Sequence, residues 1–228
     1  MIRAALFDVD GTLVNGHVWS GILDYPAVSR WQVRRLYMRA IPQLVLRRLY
    51  IRSETAFRDH WVRGLAGLLR GWSVEQLTEL SEWIAADYLL PQYREDVIAL
   101  LKQHKEAGHV VILVSTMFSD VLQQIARHLG ADDWLGTALE IREGVLTGHI
   151  QGVSCVGPRK LDFVRTHLAD RYPDISLGDC VAYADSYSDS TLLAAVGRPV
   201  AVYPDDELRT AALEQGWAIH PSETMGEQ

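Results

Sequence analysis

The feature that most constrains this chain is a repeated one. A short apolar run breaks into acids or hydroxyls and is followed or preceded by a helical pattern. The run from Ala4 to Val9 meets acids at Asp8 and Asp10. His109–Ser115 (HVVILVS) ends in a hydroxyl. Cys180–Ala184 runs into Asp185, and Pro199–Tyr203 is the last of the four. Runs of this length read as buried strands. Helical periodicity fills Arg94–Ala107, Ser119–Leu129, Lys160–Leu168 and Ser190–Val196, with Gly108, Gly130 and Gly197 as stops. The alternation predicts an α/β fold: a doubly wound, Rossmann-like parallel sheet with helices on both faces. Such sheets bind ligands beyond the carboxyl ends of their strands. The polar residues at those ends are therefore the candidate site.

Four such places carry chemistry. Asp8 and Asp10 stand two residues apart as the first run ends, and paired acids can divide the work of nucleophile and general acid/base. Gly11 permits the tight turn between them and Thr12. Ser115 and Thr116 follow the second run just before a helix, where hydroxyls and free N–H groups hold phosphate. Lys160 opens a helix and can neutralise phosphoryl oxygens. Asp185 and Asp189 lie four apart on a strand-to-helix turn and, with Asp8, suit an octahedral oxygen site for Mg²⁺. Each piece alone is weak, and a strand-end acid is often only a helix cap. Their common position carries the argument.

Between the first run and Pro91 no comparable strand appears. The stretch from about Asn15 is helical in pattern, with Pro26, Pro42 and Pro91 read as helix boundaries. It also concentrates charge. Residues 30–70 hold ten arginines against two acids, in a chain of 228 residues with net charge −7. Such asymmetry marks a separate unit or a surface for an anionic partner. The overall acidity argues against a nucleic-acid binder. Two isolated cysteines, Cys155 and Cys180, and an N-terminus without a signal pattern suggest a cytoplasmic protein. Leu139–Val153 reads as a structural β-hairpin turning at Glu143-Gly144, and the tail Pro221–Gln228 as loose.

Taken in order, DVDGT, VST, Lys160 and ADSYSD resemble the four motifs of the haloacid dehalogenase superfamily of phosphatases. The insert, the LEIREGVLTGHIQG hairpin and the ADSYSDSTLLAAVGRPVAV run are most similar to its phosphoserine phosphatase-like branch, subclass IB. The resemblance implies a core of residues 1–14 and 93–228 and a helical cap of residues 15–92. It implies a Mg²⁺-dependent phosphomonoester hydrolase acting through a covalent aspartyl-phosphate on a small phosphorylated metabolite or lipid-like substrate. Asp8 would take the phosphoryl group and bind metal. Asp10 would protonate the leaving group, then activate water, and lend its carbonyl to the metal. Ser115, Thr116 and Lys160 would hold phosphoryl oxygens, and Asp185 and Asp189 would serve the metal. Phosphotransfer to another acceptor and phosphoserine hydrolysis proper are the alternatives. Against the latter, His17 occupies the position where phosphoserine phosphatases carry an acid for the substrate's ammonium, and an imidazole cannot replace that attraction.

The arginines fall at helical spacing, as in Arg30/Arg34, Arg35/Arg39 and Arg48/Arg52, with apolar residues between. Such a helix either presents a solvated face or makes peripheral contact with an anionic membrane. Trp19, Trp31, Trp61, Trp72 and Trp83 are expected mostly in the insert's core.

Overall fold

The computed structural model describes residues 1–48 and 53–221, with side chains left out for 43–48. The Arg48/Arg52 pair and the tail after Pro221 therefore lie outside the described residues or side chains. Strands β1 (Ala4–Phe7), β2 (Val110–Phe118), β3 (Asp133–Thr137), β6 (Cys180–Ala184), β7 (Arg198–Val202) and β8 (Ala218–His220) form one sheet in the order β3-β2-β1-β6-β7-β8. Every neighbouring pair in it is parallel. From β1 the chain first builds outward through β2 and β3, then crosses to the other side for β6, β7 and β8. The reversal falls between β1 and β6, so Asp8 and Asp185 follow the two strands that flank it.

Both faces of the sheet are covered, which explains the unbroken apolar runs. Ala5, Phe7, Val111, Leu113, Val181 and Tyr183 face one buried cluster. There they meet α5 (Glu95–Glu106) and α6 (Ser119–Leu129). Ala4, Leu6, Ile112, Val114, Ala182 and Ala184 alternate with them and face the other. That cluster includes residues of α7 (Arg159–Arg171), α8 (Ser190–Leu193) and α9 (Asp206–Gln215). The two-residue period thus divides each strand between two cores.

Between β1 and α5 the described elements are helical: α1 (Val18–Asp24), α2 (Arg30–Arg48), α3 (Glu54–Leu68) and α4 (Val74–Trp83), then a π turn Ile84–Tyr88 and a 3₁₀ turn Leu90–Gln92. Ser53 caps α3, its Oγ accepting from the Ala56 N–H at 3.2 Å. Ser73 and Gln76 form a capping box at the start of α4. Leu65, Leu69, Leu77, Leu80 and Ile84 of this layer are fully buried in the same cluster as Phe7 and Leu113. Each such side chain contributes roughly 1.5–3 kcal/mol by leaving water. The layer enters and leaves the sheet at one place. Val14 bridges Tyr93, the Asn15 N–H donates to Gln92 O at 2.7 Å and the Arg94 N–H to Leu13 O at 2.9 Å.

The hairpin is present as β4 (Leu139–Arg142) and β5 (Val145–Ile150), with positive φ at Glu143 and Gly144. It docks on the helical layer: the Leu146 N–H donates to Trp72 O and the Gly71 N–H to Leu146 O, each at 2.8 Å.

Several expectations need correction. Pro42 lies inside α2 and does not bound it. A helix-interior proline costs about 3 kcal/mol; here Leu36 and Ala40 are buried, with Leu36 packed over Gly64 of α3, so packing overrides the breaker. Strand β2 continues three residues past Ser115 to Phe118, through a register shift against β3. Helix α8 stops at Leu193, short of Val196, and α7 extends to Arg171. Strands β3 and β8 and helix α9 had no counterpart in the sequence reading.

Candidate active site

The site begins where β1 stops pairing. The Asp8 N–H donates to Tyr183 O at 2.9 Å, which fixes the strand end against β6. The chain then turns through Gly11 at φ +82°, a left-handed conformation that glycine adopts without strain. Gly11 has a second use. A Cβ there would lie 2.0 Å from Asp185 Oδ2, so the absent side chain is what lets Asp185 approach the turn.

Lys160, in the first turn of α7 and 2% exposed, organises the charges. Its Nζ donates to Asp8 Oδ1 at 2.6 Å and to Asp189 Oδ2 at 2.7 Å. Burial alone would favour loss of its proton, but Asp189 and Asp8 outweigh that and raise its pKa, so it stays cationic. Thr12 Oγ1 lies 3.4 Å from both Asp8 Oδ2 and Asp185 Oδ1, at the long edge of hydrogen bonding. Asp10 accepts from the Val18 N–H at 2.5 Å and from Ser115 Oγ at 3.2 Å. Its burial raises its pKa despite those bonds and the nearby His17 and Lys160. Asp10 is thus biased toward its protonated form beside Asp8.

Ser115 is buried inside β2, not at a helix start. Its Oγ holds Asp10 and accepts from the Met117 N–H at 3.2 Å. Helix α6 begins at Ser119, after the strand has run on. Thr116 follows in the same strand, its carbonyl accepting from Thr137 Oγ1 at 2.7 Å.

The carboxylates are in excess. Burial, then repulsion from Asp8 and Asp189, pushes Asp185 up to about 8. Asp189 is also raised, by burial and Asp8, against the pull of Lys160, and its Oδ1 is buried without a partner among the described residues. Among those residues no group of three or more His, Cys, Asp or Glu side chains stands in a metal-holding arrangement. Asp10 and Asp189 are committed to Ser115, Val18 and Lys160. Still, an orphaned buried carboxylate oxygen and an Asp185 strained by like charge are what a hard, oxygen-loving divalent cation relieves. The donor set fits such an ion.

A cavity of about 540 Å³ opens over Asp8, Asp10, Thr116 and Lys160. Beyond that polar end its wall is mostly apolar: Trp19, Tyr37, Phe57, Trp61, Leu65 and Met117. Trp61 is the hub, with ring centroids 5.2 Å from Trp19, 5.6 Å from Tyr37 and 6.4 Å from Phe57. His17 lines the cavity and stacks on Trp19 at 5.2 Å. Trp19, Trp61, Trp72 and Trp83 pack on the core as expected, whereas Trp31 is 64% exposed.

Two participants were missed in the sequence. Thr12 lay inside the first motif, where its place beside two acids was the available signal. Arg58 had none, being one arginine among ten. Its Nη2 donates to Ser186 Oγ at 3.3 Å and its Nε to Glu54 Oε1 at 3.1 Å, joining α3 to the loop after β6. Burial opposes its charge, but Glu54, Asp189 and Asp8 raise its pKa overall.

Comparison with known proteins converges with this geometry. The family model described as haloacid dehalogenase-like hydrolase matches residues 5–194. Phosphoserine phosphatase SerB1 of Mycobacterium tuberculosis is 35% identical over 224 residues, covering 96% of this chain and 70% of that protein. A histidinol-phosphatase of Neisseria meningitidis is 29% identical over 230 residues, covering 96% and 98%. A crystal structure of a protein of unknown function from Bordetella pertussis superimposes with a TM-score of 0.81 at 28% identity, covering 96% and 98%.

Proposed function

The chain belongs to the haloacid dehalogenase-like hydrolase family and is a phosphatase of that family, and on that premise we propose that it hydrolyses phosphomonoesters through an aspartyl-phosphate on Asp8. The observation that carries this reading is the contact of Lys160 Nζ with Asp8 Oδ1 at 2.6 Å, at a buried strand end beside an Asp10 whose pKa is raised.

The chemistry follows from those groups. An Asp8 carboxylate oxygen attacks phosphorus, and the bond from phosphorus to the ester oxygen breaks. Asp10 gives its proton to the departing alkoxide, which leaves as the alcohol. Asp10, now a carboxylate, takes a proton from water as that water attacks the phosphorus of the acyl phosphate. Asp8 is regenerated, and inorganic phosphate departs. Lys160 and Thr116 face the phosphoryl oxygens from the cavity wall, while Ser115 orients Asp10. Asp8, Asp185, the Asp10 carbonyl and, directly or through water, Asp189 would hold Mg²⁺. When bound, Mg²⁺ supplies charge neutralisation at the phosphoryl group. Residues 15–92 act as the cap over this cavity.

The substrate reading follows from the wall. A cavity of about 540 Å³ lined mainly by aromatic and aliphatic side chains is larger and drier than a phosphorylated amino acid needs. Glu54, the carboxylate on that wall, is engaged by Arg58, and His17 is a poor partner for an ammonium. We therefore favour a phosphomonoester whose alcohol carries a ring or an apolar body over phosphoserine. The histidinol-phosphatase relative makes histidinol phosphate a natural member of the test set.

The test is a phosphate-release screen with Mg²⁺ over phosphoserine, histidinol phosphate, aryl phosphates and lysophosphatidate, run beside Asp8→Asn. Phosphate appears without any added acceptor, which separates hydrolysis from phosphotransfer. Asp8→Asn abolishes it on every substrate. Full turnover by Asp8→Asn on the best substrate would remove Asp8 as nucleophile.

A further inference from the structure

Helix α2 has an unusual exposed face. Leu36 and Ala40 are buried against the rest of the layer. At 3.6 residues per turn, Trp31 and Met38 lie in line on the opposite side, seven residues apart. They are 64% and 62% exposed, and Ile41, one turn on from Met38, is 57% exposed. Large apolar side chains gathered on one solvent-facing surface mark an interaction site more often than scattered ones do. Around them the same helix exposes Arg30, Arg34, Arg35 and Arg39. The Arg35 guanidinium sits 5.4 Å over the Trp31 ring.

Behind that face runs a groove of about 540 Å³ between α2 and α3, closed at one end by the β4–β5 hairpin. Arg35, Arg39, His60, Arg63, Arg70 and His149 line it, and no acidic side chain does among the described residues. Arg63 is held by Asp59 at 3.0 Å, and Arg70 contacts His149 at 3.1 Å. Arg35 and Arg39 make no ion pair with any described residue.

We propose that the outer face of α2 docks on an anionic lipid surface, with Trp31, Met38 and Ile41 entering the headgroup region and the basic groove receiving lipid phosphates. Charge complementarity selects this occupant. Among the described side chains Arg30, Arg34, Arg35 and Arg39 are exposed on α2 and Arg63 and Arg70 line the groove, in a chain of net charge −7, so an anionic surface attracts this side and repels the rest. The exposed apolar side chains supply what bare electrostatics lacks, a group to insert once the surface is reached. A soluble polyanion would use the groove but leave the apolar face wet. Tyr37 and Ile41, at the edge of that face, also line the cavity over Asp8, so docking turns the cavity mouth toward the bilayer. That last point rests on the phosphatase reading; the docking does not.

The full chain is co-sedimented with vesicles of phosphatidylcholine and phosphatidylglycerol, and with vesicles of phosphatidylcholine alone. Binding is expected only to the anionic vesicles and is released by salt. Arg34→Gln with Arg35→Gln weakens it roughly five-fold per arginine. Trp31→Ala with Met38→Ala weakens it even at low salt. All four positions lie outside the catalytic cavity, so hydrolysis of a soluble phosphomonoester is unchanged in both double variants and reports that they are folded. Failure to bind, or binding indifferent to both double variants, overturns the proposal. So does a wild-type dimer in sedimentation equilibrium that the same substitutions dissociate, because a second copy would then be what covers α2. None of these outcomes touches the Asp8→Asn result, so docking and chemistry fail separately.

Discussion

At the scale of single residues, Lys160 does two jobs that pull against each other. It is a buried cation paired with both Asp8 and Asp189, and in the proposed reaction it is the group that meets the phosphoryl oxygens. Removing it leaves two carboxylates, both nearly buried, without their hydrogen-bonded counter-charge. Breaking a buried ion pair by deleting one partner typically costs about 3–5 kcal/mol. Lys160→Ala is therefore expected to lose stability of that order at neutral pH in urea denaturation, besides losing turnover. A loss under about 1 kcal/mol would mean that water reaches this cluster and solvates the carboxylates. Gly11 shows the reverse economy, since a missing side chain admits Asp185 to the turn.

At the scale of elements, α5 and the sheet share a half-buried histidine. His104 Nε2 lies 2.8 Å from Tyr183 Oη, its Nδ1 2.8 Å from His109 Nδ1, and its ring meets the stacked pair Phe7–Tyr183. Burial, with the nearby His109 and Arg198 charges, lowers its pKa from 6.5 to about 4. A depressed folded pKa means that the fold favours the neutral ring. Its contribution is complete above 6.5 and is lost as the pH falls through about 4. Thermal denaturation across that window should show a steeper acid-side fall in Tm for wild type than for His104→Gln; parallel curves would contradict it. The elements also show what could be read in advance. Strands β1, β2 and β6 were legible because burial on both faces demands unbroken apolar runs, and the acids after them were legible because nothing in a core explains them. The edge strand β8 escaped because it is only three residues long, and β3 (DWLGT) because it carries polar groups: Asp133 begins it and is held by Tyr172 Oη at 2.7 Å and His167 at 3.1 Å, contacts between residues far apart in sequence. Pro42 misled because propensity was read without the packing of Leu36. Ser115 was expected at a helix start because a hydroxyl after an apolar run reads as a cap, whereas it lies within β2 with its hydroxyl on Asp10.

At the scale of the whole molecule, the carboxylate cluster would couple the proposed metal to stability. Asp185 is pushed up to about 8 first by burial and then by its neighbours' charge, so the metal-free protein carries this repulsion as a cost. Mg²⁺ should raise Tm in differential scanning fluorimetry. Asp185→Asn should raise the metal-free Tm and abolish the Mg²⁺ increment; an undiminished increment would take Asp185 out of the metal's reach. The helical layer does not stand apart from this. Its leucines share a cluster with Phe7 and Leu113, and α3 reaches the loop after β6 through Arg58–Ser186 and the start of α7 through Arg159–Asp59, the latter at 3.4 Å. The paired crossing at Val14 and Tyr93 has a mechanical consequence. Two chain segments bonded to each other act as one pin, not two tethers. The layer cannot slide across the sheet at this crossing without tearing the Asn15–Gln92 and Arg94–Leu13 bonds.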